Sequence, residues 1–95
     1  MLMEHYQKID VIDAQLAALF EARMQAIKQI ATIKHEQGIG LTDIQREKAV
    51  LDARLAAVED PALEAYVKDL YQMLILISKQ YQARLMKAMK EAEEK

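Results

Sequence analysis

The sequence predicts an all-α fold of three helices per chain (long, short, long), in a single domain over residues 1–95. Two observations predict it. Apolar residues recur at three-to-four spacing along nearly the whole chain. The two glycines and the single proline of the 95 residues cluster at residues 38–40 and 61, too few turn formers for a many-stranded sheet. Cysteine is absent, which excludes a disulfide framework, a thiolate metal site and a thiol nucleophile.

The first helix is expected from about Leu2 to Glu36. Leu2, Ile9, Ile12, Leu16, Leu19, Phe20, Ile27, Ile30 and Ile33 mark its apolar stripe, and neither Gly nor Pro interrupts it. Gln37-Gly38-Ile39-Gly40 supplies the stop, because glycine tolerates the left-handed backbone that closes a helix. Thr42 followed by Gln45 has the spacing of a capping box and starts the second helix, which carries Ile44, Val50, Leu51, Leu55 and Val58. Asp60-Pro61 is the next punctuation, with Asp as N-cap and Pro as first helical residue. The third helix follows, with Leu63, Val67, Leu70, Leu74, Ile77, Tyr81 and Leu85 in near-heptad spacing. The charged, Ala-rich tail from Lys87 to Lys95 is expected to fray.

These lengths bear on assembly. A helix of about 35 residues spans about 52 Å, far beyond the ~13 Å radius of gyration of a compact 100-residue domain. One chain cannot cover the stripes of two such rods with a helix half as long. A second chain alongside would cover them, so an intertwined homodimeric helical bundle is expected. The competing arrangement is a two-helix coiled-coil rod; three stripes separated by real breaks favour the bundle.

Composition narrows the function. A net charge of −2 argues against a broad nucleic-acid surface. The longest apolar runs, Leu16 to Phe20 and Met73 to Ile77, are too short to span a membrane. The N-terminus lacks the basic start and apolar core of a signal peptide, so a cytoplasmic protein is expected. His5 and His35 have no carboxylates at metal-ligand spacing, and neither a metal nor a cofactor is expected.

The informative residues are polar ones on apolar faces. Arg23 and Lys34 flank the Ile27-Ile30 stripe, about 20° from a common face and about 16 Å apart along the axis. They either reach towards each other around a small anion or snorkel into water. On the third helix Ser78 and Gln82 occupy consecutive turns of a stripe through Tyr71, Ile75, Leu85 and Met89. A Gln in that setting needs a partner on a neighbouring helix or a wet edge. The second helix opens Asp43-Ile44-Gln45-Arg46-Glu47, where Asp43 also suits a cap and first-turn anion, and Arg46 and Glu47 also suit an ordinary solvated face.

Taken together, these pieces resemble the all-helical AroQ-class chorismate mutases along nearly the whole chain. The matching segments are Lys8-Ile9-Asp10-Val11-Ile12-Asp13, Leu19 with Arg23, Ile30 with Ile33-Lys34, Asp43-Ile44-Gln45-Arg46-Glu47, and Leu70-Tyr71 through Ser78 to Gln82. Five pieces in order with compatible gaps make the resemblance strong. It implies three helices per chain in an interlocked dimer. It also implies a Claisen rearrangement of the dianion chorismate to prephenate, without cofactor, metal or covalent intermediate.

By this resemblance Arg23 clamps a carboxylate. Lys34 reaches the ether oxygen and a carboxylate, and Gln82 is the second donor to that oxygen. Glu47 and the backbone around Asp43 bind the ring hydroxyl, while Arg46 and Ser78 complete the anion-binding shell. One position departs: the family usually carries Arg two residues before the K-I-D piece, reaching into the partner chain's site, and this chain has Tyr6. Losing that fork costs about 2–4 kcal/mol in binding or rate. The departure leaves open a weakened mutase, a related substrate (isochorismate for a pyruvate lyase, or aminodeoxychorismate for a mutase), and a non-catalytic helical partner. Association with another shikimate-pathway enzyme is equally open.

Overall fold

The computed structural model describes Met1–Lys95 as three α-helices and one 3-10 turn. Helix α1 is Leu2–Gln37, α2 is Ile44–Ala56, and a turn at Pro61–Leu63 leads into α3, Glu64–Glu93. The all-helical, long-short-long order is the one the apolar spacing predicts.

Each boundary has a local cause. Gly38 closes α1 in the left-handed region (φ 67°, ψ 28°), where a Cβ would be strained. The amides of Gly38 and Ile39 there donate to the carbonyls of His35 and Lys34. The start of α2 differs from the expected Thr42–Gln45 capping box. Asp43 is the N-cap instead, its Oδ1 accepting from the Arg46 amide at 3.0 Å. A carboxylate at that position satisfies a free amide and also suits the positive end of the helix dipole. Asp60 caps the following turn as expected, accepting from the Ala62 amide at 3.0 Å with Pro61 next in line.

The tail also differs from expectation, because α3 stays helical to Glu93. His35 Nε2 lies 2.6 Å from Glu93 Oε1, joining the ends of α1 and α3, and Lys87 and Glu91 pair one turn apart. The helical backbone is therefore tied at its far end to a second helix.

Helices α1 and α3 run in the same direction: Arg23 meets Ser78, Lys34 meets Gln82 and His35 meets Glu93, in rising order. Helix α2 folds back along α3, and α3 packs against both of the others. The molecule measures 60 × 27 × 14 Å with a radius of gyration of 17.0 Å. At 14 Å it is little more than one helix thick, since a helix with its side chains is about 10–12 Å across.

Such a plate has almost no interior. Ala31 is the one buried apolar residue, and the other two buried residues, Ser78 and Gln82, are polar. Every residue from Met1 to Ala22 is exposed, including Ile9, Ile12, Leu16 and Leu19 of the α1 stripe. No helix is long and apolar enough to cross a membrane.

Candidate active site

A cleft of about 250 Å³ opens where α1, α3 and the start of α2 converge. All seven residues singled out in the sequence line it: Arg23, Lys34, Asp43, Arg46, Glu47, Ser78 and Gln82. Helical spacing puts Arg23 and Lys34 on one side of α1, and Ser78 and Gln82 face them from successive turns of α3. The Asp43 cap fixes where α2 begins, which brings Arg46 and Glu47 to the rim.

Lys34 is the hub. Its ammonium donates to Gln82 Oε1 at 2.9 Å and to the Leu41 carbonyl at 2.8 Å. Two of three N–H groups are thereby engaged, and one is free to meet a ligand oxygen. With Oε1 held by Lys34, the Nε2 end of the buried Gln82 amide remains as a donor. Lys34 and Gln82 thus present adjacent donors from two helices. Gln82 takes its partner on a neighbouring helix, the first of the two options its setting allowed.

Arg23 is held from α3 as well. Its Nη1 donates to Ser78 Oγ, and that hydroxyl donates onward to the Leu74 carbonyl at 2.7 Å. The single Ser78 proton goes to the backbone, so its lone pairs face the guanidinium. Ser78 therefore orients Arg23, and the remaining guanidinium donors can grip an oxyanion in the fork geometry that suits carboxylates.

Glu47 lies 3.5 Å from Lys79 Nζ, with both side chains about a third exposed. Lys79 lines the cleft but was not among the residues singled out; its place beside Ser78 and one turn before Gln82 was the available signal. The Leu41 carbonyl, which anchors Lys34, also escaped notice because a backbone group leaves no trace in residue type. Ile27, Ile30, Val50 and Ile75 form the apolar walls.

Four cations (Arg23, Lys34, Arg46, Lys79) face two carboxylates (Asp43, Glu47) in this cleft. The surplus of two positive charges matches a dianion. A roomier groove of about 380 Å³ lies beyond the Glu47–Lys79 pair, lined by Ile44, Leu51, Ile75 and Leu76 among others. It lacks Arg23, Lys34 and Gln82.

Fold and site together define a small helical domain built around a cationic cleft. Residues 5–83 match the family described as chorismate mutase type II, and the chain belongs to that family. Over 58 residues it is 33% identical to the T-protein of Haemophilus influenzae, covering 61% of this chain. The chain spans about 15% of the length of that curated relative. No solved structure matches it. The matched span contains all seven residues singled out, and Tyr6 as well.

Proposed function

We propose that this chain is a chorismate mutase, converting chorismate to prephenate, and that it works as an intertwined homodimer. The observation that carries the reading is the cleft's surplus of two positive charges, set beside the paired donors Lys34 and Gln82.

The rearrangement breaks one C–O bond and forms one C–C bond within a single molecule, and no proton or external electron is exchanged. Catalysis needs the dianion folded so that its reacting carbons meet, which is mostly orientation. It also needs positive charge at the ether oxygen as the C–O bond opens. In this proposal Arg23, oriented by Ser78, forks one carboxylate. Lys34 and Gln82 donate to the ether oxygen, where negative charge grows in the transition state. Glu47 accepts the ring hydroxyl beside the backbone around Asp43, and Arg46 closes the anion-binding shell. Glu47 acts as an orienting acceptor and not as a general base.

The homodimer rests on the apolar side of α1. Leu16 is 55% and Leu19 66% exposed, and a stripe of that length stays in water unless a second surface covers it. A second copy supplies a matching stripe by two-fold symmetry.

The test is an absorbance assay of chorismate loss with identification of the product. Prephenate is the expected product. An intact dimer with no turnover at millimolar chorismate would instead indicate a non-catalytic scaffold, and pyruvate released from isochorismate a lyase.

A further inference from the structure

The Glu47–Lys79 pair forms the wall between the cleft and the roomier groove beside it, since both residues line both. Lys79 differs from the other cations of the cleft in what its charge does. Arg23 is tied to Ser78, and Lys34 to Leu41 and Gln82. Arg46 is exposed at the rim. The Lys79 ammonium lies 3.5 Å from a carboxylate, beyond ordinary charge-assisted hydrogen-bond length, and makes no hydrogen bond within the chain.

We infer that Lys79 is a substrate-binding residue, whose ammonium takes one carboxylate of the dicarboxylate that Arg23 holds by the other. The inference rests on the reading of the cleft as a chorismate site and names a further determinant of its substrate class. Two physical reasons support it. A dianion entering the cleft meets the negative Glu47, and a cation beside that carboxylate offsets the repulsion. The flexible four-carbon stem of Lys79 then lets the ammonium swing from Glu47 to the ligand, which frees Glu47 for a hydroxyl. Lys79 thereby selects for a second carboxylate.

The rival role is neutralisation of Glu47 alone, and it predicts different behaviour. Calorimetric titration with prephenate, itself a dicarboxylate, reads binding without depending on turnover. Lys79→Gln is expected to weaken that binding about ten- to a hundredfold, the range for a lost charge-assisted contact, and to raise KM for chorismate more than it lowers kcat. Lys79→Arg should recover most of the loss. The weakening should persist in a Glu47→Gln background, where no carboxylate needs neutralising. Binding by Lys79→Gln within twofold of the parent overturns the inference, as does a loss that vanishes in the Glu47→Gln background. If the parent chain neither binds prephenate nor converts chorismate, the reading of the site fails, and the inference with it. Circular dichroism of each variant reports folding, and a side chain 31% exposed tolerates these changes.

Discussion

Lys34 Nζ and Gln82 Oε1 lie 2.9 Å apart, a hydrogen bond between residues 48 positions apart that locks α1 to α3 where the two helices present their donors. Each side chain fixes the other's orientation. Together with the Lys34 bond to the Leu41 carbonyl, this bond leaves one ammonium N–H and the amide Nε2 unengaged. Lys34→Ala is therefore expected to lower kcat by about a hundred- to a thousandfold, the range for losing one donor to a developing oxyanion. Helicity should change little, since Lys34 is only half-buried. Steady-state kinetics with circular dichroism checks both parts, and retained activity would contradict the assignment.

Ser78 invites a subtler test. Its hydroxyl accepts from Arg23 and donates to Leu74, so it orients the guanidinium. Ser78→Ala frees the Arg23 fork to sample other directions. The expected result is a several-fold rise in KM with a smaller fall in kcat. The stability change should stay near 1 kcal/mol, the usual net worth of one hydrogen bond. Kinetics and chemical denaturation separate the two effects.

The helices were legible in the sequence because apolar spacing and three punctuation points, at Gly38, Thr42–Gln45 and Asp60-Pro61, leave few other arrangements. The choice of Asp43 over Thr42 as cap was not, because both residues serve and local backbone geometry decides. The tail was misjudged for a related reason. What holds it is a contact from His35 to Glu93, 58 positions away, which no local pattern reveals. Polar types on apolar faces marked Arg23, Lys34 and Gln82, and the family resemblance suggested their roles, but the two separate hydrogen-bond sets, Arg23–Ser78–Leu74 and Leu41–Lys34–Gln82, depend on packing.

Asp43 has two roles that substitutions can separate. Removing the cap with Asp43→Ala should cost about 1 kcal/mol of stability. Asn caps about as well as Asp, so Asp43→Asn should leave the melting temperature nearly unchanged. If only the backbone near Asp43 meets the ring hydroxyl, Asp43→Asn should also keep KM for chorismate within about twofold. A large rise in KM at unchanged stability would move the hydroxyl contact onto the carboxylate. Thermal melts and kinetics on the same samples decide it.

The plate-like chain makes assembly measurable. Light scattering should report about twice the 10.9 kDa chain mass. The melting temperature should rise with protein concentration, because association stabilises only the folded state. Leu16→Asp puts a charge in the middle of the exposed α1 stripe and should split the dimer with loss of helicity, since one chain has almost no core of its own. A monomer with unchanged helicity and melting temperature would contradict the intertwined arrangement.

Tyr6 tests how a partner chain contributes. It sits 57% exposed near the start of α1, and seventeen residues separate it from Arg23, a rotation about 100° away from the face that meets its own cleft. In an intertwined dimer that orientation turns it towards the other copy. A phenol can donate one hydrogen bond to a carboxylate, but it brings neither charge nor a fork. With no other cation in that role, Tyr6→Arg would raise kcat/KM for chorismate by about tenfold or more, the scale of one charge-assisted contact. The gain should shrink in strong salt, because a rim charge is screened. Because Lys79 is proposed to fill that electrostatic role, Tyr6→Arg alone is expected to gain little and instead to restore activity to Lys79→Gln. Measuring kcat/KM for both single variants and the double variant distinguishes an absent contact from one that has moved to another residue.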